Sequence, residues 1–160
     1  SSEAFLYSCA FILNKFDIEF ILKLIDPKNS VEEINEIIGF EGKCTNEENK
    51  VYVWELTEDT NVEVQYSKSN EGKIEISFPS KLIANDKVDF SRFSEIKKAL
   101  NTKESLTYDQ FVELVGGVEG TLKSKNSSSL KYEWDNTEGG YLFATFSVQT
   151  GKCTFTTGRF

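Results

Sequence analysis

At 160 residues, 39% of them hydrophobic and 13% aromatic, the chain has material for one ordinary domain or two small ones. A formal charge of −8, with Lys97-Lys98 the only adjacent basic pair, argues against nucleic acid as a partner, because phosphate-backbone binding needs clustered Lys and Arg. There is no histidine, which removes the commonest general base, the commonest metal ligand and every Ser-His or Cys-His nucleophile pair.

In chain order, Ala4, Phe5, Phe11, Ile12, Ile18, Ile21, Leu22 and Ile25 recur at three- and four-residue steps. They predict helix from about Ala4, broken near Asn14-Lys15 and ending before Asp26-Pro27. Residues 1–15 read as an apolar helical extension, either packed under the sheet or against the second half, or a membrane-proximal remnant. No run is long enough to span a bilayer. Glu3 stands where a signal peptide would carry basic residues. The opening Ser1-Ser2-Glu3, without Met, suggests an export signal already removed and, with it, a membrane tether.

Residues 16–80 form a first αβ module. Ser30 with Glu33 three positions on has capping-box spacing, and the helix Val31–Ile38 buries Ile34, Ile37 and Ile38 before stopping at Gly39. Val51–Leu56 carries apolar groups on both faces. Asn61–Ser67 and Lys73–Phe78 alternate cleanly, as antiparallel strands with one wet face do. Residues 81–90 are the linker, with Asn85-Asp86 at its tip.

Residues 91–160 form the second module. Phe93, Ile96 and Leu100 make a helix stripe, and Thr107 caps a helix that stops at Gly116. Strands are expected over Leu130–Asp135, Tyr141–Val148 and Lys152–Thr157, with Gly139-Gly140 turning the chain into the middle one. Leu142, Ala144, Phe146 and Val148 face the helices, and Cys153 is a small core residue. Tyr141, Phe143, Thr145 and Ser147 stand on the other face. Two aromatics there occupy positions that are Asn61 and Glu63 in the first module. Such rings on a nominally wet face mark a partner surface, or a face covered by the other module or by the N-terminal segment.

The halves repeat one another. Ser30, Ile34, Ile37 and Gly39 precede Thr107, Phe111, Leu114 and Gly116 by 77 positions, and Tyr52 and Trp54 precede Tyr132 and Trp134 by 80. Small gaps between loop insertions are what duplicated modules show. The expected fold is therefore α+β: two tandem helix-helix-β-meander modules with an antiparallel sheet and helices on one face. A single module would be marginal alone, so the pair is expected to fold as one cooperative unit.

Chemistry-bearing motifs are scarce. Cys9, Cys44 and Cys153 are widely spaced with no C-x-x-C, and either one disulfide or three thiols is allowed. Glu32-Glu33 and Glu58-Asp59 read as solvated surface, and Asp135-Asn136-Thr137-Glu138 lacks EF-hand spacing. No cofactor, metal or catalytic residue is expected.

Phe93-x-x-Ile96, the run Leu106-Thr107-x-x-Gln110-Phe111-x-x-Leu114-Val115-Gly116, Tyr132-x-Trp134, Gly139-Gly140 and Gly151-Lys152 together resemble the β-lactamase inhibitor protein family and related small envelope lipoprotein modules. The first half matches through Ser30-x-x-x-Ile34-x-x-Ile37-x-Gly39 and Tyr52-x-Trp54. The resemblance implies an eight-stranded curved sheet with helices behind and a concave front that grips a partner protein such as a β-lactamase or penicillin-binding protein. It places Asp59 near a hairpin tip that would enter the partner's active site. Cys44 sits where the family has a half-cystine, but no cysteine stands near Tyr52 to pair with it.

The expectation is a non-enzymatic protein-binding module outside the cell or at the bacterial envelope. Its partner-binding residues are Tyr141, Phe143 and Thr145, with Trp134 and Asp59 as further candidates. The alternatives are a carrier of a small hydrophobic ligand and a structural domain of a surface lipoprotein.

Overall fold

A computed structural model of the chain describes residues 15–77, 88, 93–101, 105–135 and 139–159. The fold is α+β. Its strands are antiparallel and follow chain order, each hydrogen-bonded to the next, from β1 (Lys43–Asn46), β2 (Val51–Glu55), β3 (Asn61–Tyr66) and β4 (Gly72–Ser77) to β5 (Thr121–Lys125), β6 (Ser129–Asp135), β7 (Tyr141–Ser147) and β8 (Cys153–Arg159). By contacts the chain divides into two compact units between residues 82 and 83, except that Ser124–Ser127 group with the first. The β4–β5 rungs, Ile74 with Lys125 and Glu75 with Ser124, therefore lie within the first unit.

In the first unit, α1 (Lys15–Leu24) buries Ile21 and Leu22, with Ile25 just beyond it, while the helix expected from Ala4 to Asn14 lies outside the described residues. The expected capping box starts α2 (Val31–Ile38): the Glu33 amide donates to Ser30 Oγ at 3.2 Å, and the Ser30 amide donates to Glu33 Oε1 at 3.0 Å. Gly39 ends the helix with φ 100°, where a side chain would be strained, and donates to Asn35 O at 2.7 Å. Ile34 and Ile38 are buried, and Ile37 is only half-buried.

Trp54, Val62 and Ile76 form one buried row across β2, β3 and β4, with Val64 and Ile74 paired beside it. Trp54 Nε1 donates to Asn35 Oδ1 at 2.9 Å, so its one polar atom is satisfied in the core. Strand β1 was not legible as a strand because all four of its residues are exposed and it has no apolar alternation.

In the second unit, α3 (Phe93–Asn101) contributes buried Ile96, and α4 (Tyr108–Leu114) contributes buried Phe111. Thr107 and Gln110 make the expected capping box, with Gln110 N donating to Thr107 Oγ1 at 3.3 Å and Thr107 N to Gln110 Oε1 at 2.9 Å. Ile96, Phe111 and Val115 pack against Trp134, Leu142, Ala144, Phe146 and Cys153 in one core. Val148 does not extend that row. Strand β7 ends at Ser147, and Val148 stands 53% exposed in the turn that follows. The linker at 81–90 lies outside the described residues apart from Val88, which is buried and donates its amide to Asp135 O at 2.7 Å.

Candidate functional site

The core side of the second unit fixes what its other side presents. Phe111 lies 4.9 Å from Trp134 and 5.7 Å from Phe146, centroid to centroid, and Tyr108 lies 4.5 Å from Tyr132. These packed rings hold β6 and β7 in a continuous register in which Trp134 pairs with Leu142, and Tyr132 with Ala144. Alternate residues must then point away from α3 and α4.

Those outward positions form three rows. Lys131, Glu133 and Asp135 of β6 stand opposite Thr145, Phe143 and Tyr141 of β7. On the far side Phe155, Thr157 and Arg159 of β8 stand opposite the same three β7 residues. Tyr141 and Phe143 meet at 5.0 Å between ring centroids, and Lys131 Nζ lies 4.4 Å over the Phe143 ring. Tyr141 is 37% exposed and Phe155 61%, the latter the most exposed of the chain's large hydrophobic side chains among the described residues.

Phe155 reaches this face through a β-bulge. Strict alternation from buried Cys153 would turn Phe155 into the core. Instead the register slips between Thr145 and Phe146, so that Phe146 pairs with Cys153 while Thr145 pairs with Phe155. Thr154 is the extra residue, and its Oγ1 donates to Thr145 O at 3.3 Å. The bulge hides Phe155 from any period-two reading. Its flanking residues Thr154, Thr156 and Thr157, polar on both sides, are the only sequence hint.

Opposite Phe143, Glu133 Oε2 lies 3.5 Å from Lys123 Nζ of β5, with 15% and 20% of the two side chains exposed. Burial pushes the Glu133 carboxyl up, Lys123 pulls it back down, and Asp135 raises it further. This face offers ring stacking, a cation–π contact and threonine hydroxyls.

Of the sequence-predicted site residues, Tyr141, Phe143 and Thr145 come together here. Trp134 does not: it belongs to the opposite face, is 1% exposed, and its Nε1 donates to Val118 O at 2.8 Å, so no partner can touch it in the folded chain. Its ring is part of the core of the second unit. Asp59 belongs to the first unit, where it is exposed beside the β2–β3 turn and accepts from Thr57 Oγ1 at 3.1 Å. The outward rows of β3 and β4 in that unit are polar: Asn61, Glu63 and Gln65 of β3 pair with Ser77, Glu75 and Lys73 of β4, and Lys73 Nζ lies 3.0 Å from Glu75 Oε1.

Cys44 stands directly across from Tyr52, and both it and Cys153 are free thiols. Among the described residues no group of three or more Cys, Asp or Glu could hold a metal ion, and no helix is long and apolar enough to cross a membrane. In comparisons with known proteins, no family model, no curated protein and no solved structure matches the chain.

Proposed function

We propose that this chain is a non-enzymatic protein-binding protein that grips its partner with the outward rows of β6, β7 and β8. The observation that carries this is the gathering of Tyr141, Phe143 and Phe155 on one face beside Lys131, with Phe155 largely exposed and Tyr141 partly so. Large rings with a lysine and hydroxyls around them have the composition of an interface centre and its rim.

In this reading the chain is two tandem modules, in line with its resemblance to β-lactamase inhibitor proteins. Two recurrences support the duplication. Capping boxes 77 positions apart start the helices at Val31 and Tyr108. Trp54 and Trp134 each press on a glycine ahead of a strand, Gly42 and Gly120. The site of action would be the bacterial envelope or the cell exterior, and the partner a β-lactamase or penicillin-binding protein.

Binding of the purified chain to a panel of class A β-lactamases and penicillin-binding proteins, with inhibition read in parallel, tests this. Tight binding that is lost in Phe143→Ala and Phe155→Ala supports the reading. Failure to bind any member at micromolar concentration removes that partner class, and binding unaffected by either substitution removes the face.

A further inference from the structure

The first unit has its own concave site, unrelated to the ring face of β6 to β8. A cleft of about 670 Å³ opens between the start of α2, β1, and the turns that follow β1 and β3. That volume is within the usual range of small-molecule sites, roughly 300–1,000 Å³. One wall is made of the Tyr52 and Tyr66 rings, set edge to face with centroids 6.1 Å apart. Tyr66 is held in place because its hydroxyl donates to Asn29 O at 2.9 Å, so the wall exists before any ligand arrives.

The rim carries Lys28 and Lys50, against Glu47 as the one carboxylate among the lining residues. Glu32 and Glu33 act on Tyr66 from outside the lining, so the two lysines are the cations that the opening itself offers a ligand. Lys50 is braced. Its ammonium donates to Asn70 Oδ1 at 3.5 Å and its carbonyl accepts from the Tyr66 amide at 3.2 Å. Lys50 and Asn70 are also the two non-glycine residues with positive φ, 50° and 60°, among the described residues. Both are residues of the connections between strands, where such backbone is ordinary, and both border the cleft.

We infer that this cleft binds a small aromatic anion, its ring against Tyr52 and Tyr66 and its acid group between Lys28 and Lys50. Aromatic rings pack on such a wall with offset or edge contacts, and an ammonium recognises a carboxylate or sulfonate by a charge-assisted hydrogen bond. The exposed Cys44 thiol also lines the cleft and reports occupancy without taking part in binding.

The probes are 8-anilinonaphthalene-1-sulfonate and its uncharged analogue N-phenyl-1-naphthylamine, followed by fluorescence, with iodoacetamide alkylation of Cys44 measured by peptide mass. The expected result is saturable binding of the sulfonate at one dye per chain. In Lys28→Ala/Lys50→Ala that binding is roughly tenfold weaker, the loss expected for a charged hydrogen bond. The uncharged dye binds both forms alike, and the sulfonate slows Cys44 alkylation. Both lysines are exposed, so the variant folds, which its urea transition verifies. Equal sulfonate binding by the variant, or binding that leaves Cys44 unprotected, overturns the inference. Loss of binding in Phe155→Ala instead assigns the dye to the ring face and overturns it too, without bearing on the protein-binding proposal.

Discussion

Trp134 rests on Gly120 so closely that a Cβ at position 120 would come within 2.7 Å of the indole, and Trp54 bears on Gly42 the same way at 2.4 Å. Neither glycine has left-handed backbone, so the demand is steric: the ring needs the space that a side chain would fill. Gly120→Ala and Gly42→Ala should each lower stability by about 1–3 kcal/mol, the usual loss on overpacking a core. Urea unfolding followed by tryptophan fluorescence checks this, and transitions that match wild type would mean the indoles are free to move aside.

Truncation of rings should separate the outer face from the core. Phe155→Ala is expected to change stability by no more than ~0.5 kcal/mol, as for a surface position. Phe111→Ala, at 0% exposure, should lose about 3–5 kcal/mol. Phe143, half-buried, should fall between them. A large loss in Phe155→Ala would show that the bulge does not turn that ring outward.

Helix starts and core parity were legible in the sequence because each rests on a local rule. Ser30 with Glu33 and Thr107 with Gln110 are reciprocal hydrogen bonds at fixed spacing, and Leu142, Ala144 and Phe146 follow the pleat. Strand β1 was not legible, since an edge strand exposed at every residue gives no period. Phe155 escaped because one inserted residue, Thr154, reverses parity, and only pairing with β7 reveals it. Trp134 was chosen for its ring chemistry, although its register with Leu142 puts it inside. The cleft in the first unit joins Lys28, Cys44, Lys50 and Tyr66 across turns, and no linear spacing announces it.

The caps can be removed singly. Ser30→Ala and Thr107→Ala should each lower stability by roughly 1 kcal/mol, because each leaves an amide of the first turn without its acceptor. Glycine at either position should lose only a few tenths. Comparing the alanine and glycine variants in urea decides whether the hydroxyl matters or only the backbone does.

Tyr66 gives a pH prediction. Burial, then the charges of Glu32, Tyr52 and Glu33, push its phenol up from 10.0 to about 12. The native state therefore holds this proton more tightly than the unfolded chain, so the stability linked to it is fully present below 10.0 and is lost as pH rises through about 12. Absorbance of phenolate near 295 nm should show one tyrosine ionising late. That step should be absent in Tyr66→Phe, whose stability should also decline less steeply with alkali.

The thiols should differ in reactivity. Cys44 is exposed, whereas Cys153 is 6% exposed with its thiol pushed up by burial, so less of it is thiolate. Iodoacetamide should label Cys44 in the native protein and Cys153 only in denaturant. Native labelling of Cys153 at a comparable rate would show that the β8 end of the core opens readily.

Strand order identical to chain order carries a consequence for how the chain is made. Every strand-to-strand contact joins strands consecutive in the sequence, and no strand must be reached by a crossover. Closing the hairpins β2–β3, β3–β4, β6–β7 and β7–β8 sacrifices little loop entropy and favours rapid folding, whereas the β4–β5 rungs must wait for α3 and α4, which lie between them in the chain. On the ribosome, hairpins β2–β3 and β3–β4 need nothing synthesised after Ser77, so the first unit can begin to organise before Phe155 exists. The rings of β7 and β8 therefore emerge after the first unit's hairpins can already be paired.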